Sequence, residues 1–176
     1  ATLDLDELFQ ITARQVKRVV PCDRASLFIL DADKREISQI SSVDDVKKRQ
    51  LRVSPANLKG TRFEEILRTL ESIYIPDTRE DPHPRSRVLE AEGLRSIMNT
   101  PIVIQRECVG FLNVAAEAVD AFGDEHIQLL RWVADHLGAA IRNAELFARV
   151  RETGERLDRF VRSAADGIIT VDLDGR

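Results

Sequence analysis

The chain has 176 residues, of which 43% are hydrophobic and 32% charged, so it can bury one ordinary core and carry a short extension. Its formal net charge of −4 argues against nucleic acid as a partner, because binding to phosphates needs a concentrated excess of Lys and Arg. Its two cysteines, Cys22 and Cys108, are too few for a disulfide framework and lack the spacing of a zinc site.

Nothing in the sequence has the character of a membrane segment. No apolar run approaches the roughly eighteen residues that a membrane-spanning helix needs, and residues 1–4 lack the basic and apolar regions of a signal peptide. We therefore expect a cytoplasmic segment that makes no contact with a membrane.

The first part of the chain predicts a helix followed by a hairpin. Apolar residues between Leu5 and Val20 recur on one helical face, and Pro21 ends this helix. The β-rich run 25–30, a turn at 31–34 and the run 36–41 predict two paired strands. A short edge strand is expected at 50–53, where apolar and polar residues alternate.

The middle of the chain predicts a short helix, a loop and a second hairpin. After Gly60, apolar residues at 63, 66, 67 and 70 have helical spacing, and the strand 72–75 ends at Pro76. The charged stretch 77–87, with prolines at 82 and 84, predicts a long loop that serves as a lid over a pocket. Strands 96–104 and 108–115 complete the predicted sheet.

The last part of the chain predicts a long helix that dimerises. The helix begins near Asp124, and its apolar residues from 147 onward alternate at spacings of three and four, as in a coiled coil. They lie beyond the reach of the domain's own core, so we predict a parallel homodimer. The residues expected at this dimer helix are Phe147, Val150, Leu157 and Val161.

The order of these elements, together with several short motifs, resembles the GAF domain. The strand motif 24–31 (RASLFILD), the segment 74–82 (YIPDTREDP) and the hairpin motifs GLRSIM and VGFLNV are similar to that family's pattern. The resemblance covers residues 3–150. It implies an α+β fold, with an antiparallel sheet of five to six strands flanked by helices and a long C-terminal signalling helix.

The C-terminal residues 164–176 (AADGIITVDLDGR) resemble the opening of a PAS domain. We therefore divide the chain into a GAF sensory domain at 1–150, a coiled-coil linker helix at 151–165 and the truncated start of a PAS domain at 166–176, with a strand over 168–171. This arrangement implies a sensory input and dimerisation module of a multidomain signal-transduction protein. Its parent would be a sensor histidine kinase or a cyclic-dinucleotide enzyme such as a diguanylate cyclase, with PAS and output domains downstream.

The candidate ligand pocket lies between one sheet face, the short helix and the lid. The expected lining comprises Ser26, Phe28, Ile40, Ser42, Thr61, Phe63, Asp77, Arg79, Met98 and Thr100. For the apolar members, filling the core is the favoured interpretation. Arg79 and Arg95 are the candidates for holding an anionic ligand, with a solvated surface charge as the equal alternative.

The ligand itself is unknown at this point. His126 and His136 are ten positions apart, which does not suit a metal site on one helix, and no haem, bilin or metal motif is evident. Cyclic nucleotides are disfavoured, since Val114 follows Asn113 where nucleotide-binding relatives have Lys. In addition, Arg62 and Phe63 stand where smaller residues are usual, which predicts a narrowed pocket.

Two alternatives remain open for the function. The chain could be a degenerate GAF domain that binds nothing and only dimerises. Some free-standing members of the family reduce oxidised methionine with clustered cysteines, but Cys22 and Cys108 do not resemble that spacing, so a small redox enzyme is disfavoured. We expect no catalytic residues in this segment.

Overall fold

A computed structural model of the chain describes residues 5–31, 36–44 and 58–173. The elements in chain order are α1 (Leu5–Val19), β1 (Arg24–Leu30), β2 (Ile37–Asp44), α2 (Arg62–Thr69), β3 (Ile73–Ile75), α3 (Pro84–Ala91), β4 (Ser96–Ile104), β5 (Glu107–Ala116) and α4 (Asp124–Leu173). Two compact units are present: residues 3–140 contain the sheet, and the second unit contains α4 from Ile141 onward.

The five strands of the described residues form one antiparallel sheet in the order β2-β1-β5-β4-β3. The long pairings of β5 with β1 and with β4 lie at the centre, and the short strands β2 and β3 pair at the two edges. This arrangement confirms the predicted α+β architecture. The edge strand predicted at 50–53 lies outside the described residues.

Alternation along the strands separates two faces of the sheet. One face carries two apolar clusters, which are centred on Phe111 and Ile97 and are covered by residues of α2 and α3. The opposite face meets α4, since a Cβ atom added at Gly138 would lie 3.4 Å from Ile102 Cγ2 on β4. Fully buried side chains such as Met98 and Leu112 belong to this second face.

Three phenylalanines fill the space beneath α2. The Phe63 ring stacks on Phe111 with a centroid distance of 4.4 Å and lies 5.2 Å from Phe28 at a tilted angle. All three side chains are buried, so they stabilise the fold by removing large apolar surfaces from water. This packing occupies the part of the pocket that the sequence predicted to be narrowed.

The structure corrects two predicted elements. Residues 77–87 were expected to be loop, but α3 begins at Pro84, a position in the first helical turn where the missing N–H of proline costs nothing. The strand predicted over 168–171 is also wrong, because α4 continues as a helix to Leu173. A helix satisfies its backbone hydrogen bonds internally, whereas a lone strand has no neighbour with which to pair.

Among the described residues, the second unit consists of the part of α4 from Ile141 onward. The side chains of Phe147, Val150, Leu157 and Val161 are all more than half exposed in the single chain. No described helix is both long enough and apolar enough to cross a membrane.

Gly110, on the central strand β5, provides a test of the sheet packing. A Cβ atom at this position would lie 2.3 Å from the backbone carbonyl oxygen of Phe28 on β1. Because that oxygen belongs to the backbone and cannot rotate away, we expect Gly110→Ala to lower the free energy of unfolding by about 1–3 kcal/mol, as overpacked cores do. Urea denaturation measures this loss.

The control for this prediction is Gly154→Ala on α4, where an added Cβ meets no atom within 4 Å. This change should leave the unfolding of the sheet domain unaltered and slightly favour the helix. A Gly110→Ala protein with the stability of the unaltered chain would contradict the register of β1 against β5.

Candidate functional site

A cavity of about 120 Å³ lies between the α2/α3 face of the sheet and the helices that cover it. Alternate residues of β1, β4 and β5 form its floor. Its roof consists of the start of α2 and of the segment 77–95, which contains α3. This segment extends beyond the 77–87 stretch expected from the sequence, and the term lid refers to all of it from here on. The lining residues are Arg24, Ser26, Phe28, Thr61, Arg62, Phe63, Ile75, His83, Arg85, Ser86, Val88, Leu89, Glu92, Ile97, Asn99 and Asn113.

Arg24 is the charged residue that joins the sheet to the lid. It begins β1 and is buried. Its Nε donates to Asp44 Oδ2 at 2.9 Å on β2, and its Nη1 donates to Glu92 Oε2 at 2.7 Å at the C-terminal end of α3. Burial works to lower the pKa of Arg24, but the hydrogen bonds to Glu92 and Asp44 outweigh it, and the pKa is raised.

Arg62 makes a second connection at the other end of the lid. Its guanidinium donates to Asp81 and, at 3.2 Å, to Glu65, while the Ser86 hydroxyl donates to the other oxygen of Asp81. Burial works to raise the pKa of Asp81, but the hydrogen bonds from Ser86 and Arg62 outweigh it and the pKa lies below its usual value. The carboxylate is therefore charged at neutral pH.

His83 connects the lid to the loop before α2. It caps the N-terminus of α3, where its Nδ1 accepts a hydrogen bond from the Arg85 backbone N–H at 3.3 Å. Its Nε2 lies 2.8 Å from the carbonyl oxygen of Gly60. A neutral imidazole with its proton on Nε2 satisfies both contacts, so His83 is a structural link between two parts of the roof.

Two asparagines face each other on the cavity floor. Asn99 on β4 and Asn113 on β5 are directly opposite in the register, and Asn113 Nδ2 donates to Asn99 Oδ1 at 2.7 Å. Each amide has more hydrogen-bonding capacity than this one contact uses. Within the described residues, the Asn99 amino group and the Asn113 carbonyl oxygen have no further protein partner.

Four of the predicted pocket residues line this cavity, namely Ser26, Phe28, Thr61 and Phe63. Ser42 lies beside it, because its hydroxyl is 2.9 Å from that of Ser26 on the neighbouring strand. The side chain of Ile40 lies outside the described residues.

The other four predicted residues lie away from the described cavity. Met98 and Thr100 occupy the opposite face of β4, since Ile97 and Asn99 are the positions that line the cavity. Asp77 accepts two hydrogen bonds from Arg95, which hold the pKa of Asp77 below its usual value. Arg79 pairs with Glu90 at 3.0 Å on an exposed surface.

Sequence reasoning missed the most informative polar residues. Arg24 is part of the strand motif, but its burial depends on two acids that lie 20 and 68 positions away. Glu92 and Arg62 are ordinary charged residues of short helices in the sequence. The sequence did contain one signal for this site: Asn99 and Asn113 lie at matching positions in the two strands of the second predicted hairpin.

Cysteine and metal chemistry find little support in the described residues. The Cys108 thiol is buried in the aromatic cluster and contacts the carbonyl oxygen of Gly110 at 3.2 Å, and Cys22 is buried after α1. In the same part of the chain, no group of three or more His, Cys, Asp or Glu residues is placed to hold a metal ion. His136 instead lies against Trp132, with the ring centroids 3.9 Å apart and the two rings tilted by 45°.

These features define a class of protein: an α+β domain with a small cavity between a five-stranded sheet and two short helices. The family model of the GAF domain matches residues 2–142. The chain belongs to the GAF family.

Relatives with this fold occur in larger regulatory proteins. A formate hydrogenlyase transcriptional activator of Salmonella typhimurium is 23% identical over 160 residues, which cover 88% of this chain. The chain spans about a quarter of that relative's length, 23%.

Solved structures share the fold at low sequence identity. The GAF domain of a phosphoenolpyruvate-protein phosphotransferase from Coxiella burnetii has a TM-score of 0.71 at 21% identity, covering 85% of this chain and 89% of that one. A domain of a putative two-component sensor histidine kinase from Sinorhizobium meliloti 1021 has a TM-score of 0.65 at 17% identity, covering 83% of this chain and 97% of that one.

The buried Arg24 pairs are expected to stabilise the closed lid. Arg24→Met would leave the carboxylates of Asp44 and Glu92 without their shared cation, and removal of one partner of a buried charge pair costs about 3–5 kcal/mol. The free energy of unfolding, measured in urea, should fall by that amount.

The matched control is Arg79→Met, since Arg79 belongs to an exposed ion pair in the same lid. Exposed pairs contribute little, so this variant should remain within about 1 kcal/mol of the unaltered protein. Equal losses for the two variants would show that the Arg24 pairs have no special role.

Proposed function

We propose that residues 3–140 form a sensory domain that binds a small molecule in the cavity and regulates a larger signal-transduction protein. The observation that carries this proposal is the asparagine pair, whose unused hydrogen-bonding groups lie in the floor of a cavity covered by a lid. These amide groups can donate to and accept from a bound molecule, and a few polar groups in a mostly apolar concavity are typical of small-molecule sites.

The lid would report on the state of this cavity. It is connected to the sheet through Arg24 and Glu92 and to α2 through Arg62 and Asp81. A ligand that contacts these groups alters the relative stability of lid positions, and this difference is the physical basis of a sensory response.

The second part of the proposal is a parallel homodimer. In the sheet unit, an apolar groove of about 430 Å³ runs between α1 and the first part of α4. Three large residues at this surface are exposed in the single chain: Ile11, Val19 and Trp132. Exposed apolar surface of this kind is typical of a protein interface.

The later part of α4 adds an apolar stripe of its own. Phe147 is 77% exposed, Val150 71%, Leu157 61% and Val161 57%. A second copy of the same helix would bury them at spacings that suit a coiled coil. Each side chain contributes roughly 1.5–3 kcal/mol when fully buried, which favours a dimer at micromolar concentration after the costs of association.

The proposal also includes the kind of larger protein that contains this domain. The transcriptional activator and the sensor histidine kinase domain described above indicate the kinds of protein that contain this fold. A histidine kinase or a cyclic-dinucleotide enzyme, with PAS and output domains downstream, is our proposed setting, and the segment itself would act without catalytic residues.

A dimerisation domain without a ligand is the second candidate. The observation that favours it is the aromatic packing of Phe28, Phe63 and Phe111, which leaves a cavity well below the roughly 300–1,000 Å³ of ordinary ligand sites. A redox enzyme is disfavoured because the Cys108 thiol is buried in the core cluster under α2.

Native mass spectrometry of the protein as purified separates these two candidates. Ligand sensing predicts a mass above that of the polypeptide, and this added mass should be lost when the protein is unfolded and its small molecules are removed. The added mass should return when the released small molecules are mixed with the refolded protein. A dimerisation domain predicts the mass of the polypeptide alone at every step, and that result would contradict ligand sensing.

The dimer can be tested with Leu157→Glu and Val161→Glu combined. Charges in the seam should convert a dimer to a monomer in light scattering, while circular dichroism shows that the domain remains folded. The control pair, Arg159→Glu and Ser163→Glu, places the same side chains at exposed positions outside the stripe and should leave the dimer intact. An unaltered chain that is monomeric at micromolar concentration would refute the proposed seam.

A further inference from the structure

A row of polar side chains crosses the cavity side of the sheet. The register places Ser42 of β2 opposite Ser26 of β1, Ser26 opposite Asn113 of β5, and Asn113 opposite Asn99 of β4. Ser26, Asn113 and Asn99 line the cavity. Because this sheet face otherwise carries two apolar clusters, the row is a place where a ligand can form hydrogen bonds with the floor.

The asparagine pair presents one donor and one acceptor to the cavity. Asn113 Nδ2 donates to Asn99 Oδ1 at 2.7 Å, so the amino group of Asn99 and the carbonyl oxygen of Asn113 are not used by the described residues. A hydrogen bond between two amides leaves one amino group and one carbonyl oxygen whichever of the two donates. The pair therefore favours a molecule that accepts at one atom and donates at a neighbouring atom.

Neither a carboxylate nor an ammonium group meets this requirement. A carboxylate has only acceptors, so one of its oxygens would face the carbonyl oxygen of Asn113. An ammonium group has only donors and would leave the amino group of Asn99 without an acceptor. A carboxamide carries a carbonyl oxygen and an amino group on one carbon atom, so it can pair with both asparagines.

The charged side chains of the described lining are already paired or solvated. Arg24 pairs with Glu92 and Arg62 pairs with Asp81, while Arg85 is exposed to solvent. A charged ligand would lose its hydration and compete with these pairs for a counter-charge, whereas an uncharged ligand leaves them intact. Among the described residues, the buried Nε of Arg62 has no hydrogen-bond partner, so it is a further donor for a carbonyl oxygen.

The volume and the apolar lining indicate a compact aliphatic body. The cavity volume of about 120 Å³ is slightly below that of an engineered protein cavity of about 150 Å³ that binds benzene. Phe28 and Ile97, each two positions along its strand from a polar residue of the row, line the cavity together with Phe63 and Ile75. A ligand with a branched alkyl group beside its polar group would contact both kinds of lining.

We propose that this cavity binds a small uncharged carboxamide with a compact aliphatic body, whose carbonyl oxygen accepts a hydrogen bond from Asn99 and whose amino group donates to Asn113. The inference rests on the ligand-sensing function proposed above and specifies the chemical class of its ligand.

Four probes that share an isopropyl group test this chemical class: isobutyramide, isobutyrate, isobutylammonium and 3-methylbutan-2-one. The last is a ketone in which a methyl group replaces the amino group of isobutyramide. Each probe is titrated into the unaltered protein at millimolar concentrations, and the side-chain amide signals of Asn99 and Asn113 are followed by NMR. The signals of Asn143, which is exposed on α4, serve as the internal control and should not move.

Isobutyramide should give saturable shifts at the lowest concentration of the four probes. The ketone should bind about tenfold more weakly, because it leaves the Asn113 oxygen without a donor. A ketone that binds as tightly as isobutyramide overturns the inference. Equal or tighter binding of isobutyrate or of isobutylammonium also overturns it, while leaving ligand sensing in place.

A pair of variants tests the donor at Asn99. Asn99→Asp retains the shape of the side chain and can still accept from Asn113, but it replaces the amino group with a carboxylate oxygen. Isobutyramide should then bind about tenfold more weakly or worse, and isobutylammonium should become the preferred probe, as the Asn113 signals would report. Asn143→Asp adds the same charge on an exposed helix and should leave the affinity within about twofold. Equal affinities for the two variants overturn the role of Asn99.

The comparison of probes on the unaltered chain decides the chemical class even if Asn99→Asp fails to fold. If none of the four probes shifts the signals of Asn99 and Asn113, the inference is wrong. The proposed sensory function is decided separately by the retained mass in native mass spectrometry.

Discussion

The buried guanidinium of Arg24 is the interaction on which the site depends. A charge at 8% exposure would be strongly destabilising without partners, and its partners come from two distant parts of the chain, the end of β2 and the end of α3. The requirement to neutralise this charge therefore holds the lid against the sheet. It also brings the carboxylate of Glu92 to the cavity, so the same constraint that closes the roof supplies a charged hydrogen-bond acceptor there.

The aromatic cluster under α2 sets the size of what can bind. Phe63 lies at the start of α2 and packs between Phe28 and Phe111, so the volume near α2 is occupied by the protein itself. What remains lies towards α3, where β4 and β5 present the amides of Asn99 and Asn113 beside Ile97. The fold thus combines a half that is filled by aromatic side chains with a smaller half that carries polar groups, and the second half is the one with room for a ligand.

Local patterns predicted most of the fold but only part of the site. The hairpin at β1 and the helices α1 and α4 have clear periodicity, and their positions agree with the structure. The strand β4 is buried on both faces over residues 96–102, so hydrophobicity did not indicate which side chains face the cavity, and Met98 and Thr100 were chosen in place of Ile97 and Asn99. Helix α3 was missed because Pro82 before it and Pro84 at its first position also suit a loop, and the partners of Arg24 are set by tertiary structure alone.

The two faces of the sheet provide a direct physical route from the cavity to the helices. Asn99 faces the cavity, while its neighbours Met98 and Thr100 are buried on the face that meets α4, and Gly138 of α4 lies against Ile102 of the same strand. Because the residues of β4 from 96 to 102 are buried on both faces, a displacement of the strand changes contacts on both sides. A ligand that displaces the asparagine pair would therefore change the contacts between α4 and the sheet through β4 itself. No further residues are needed between the cavity and the helix.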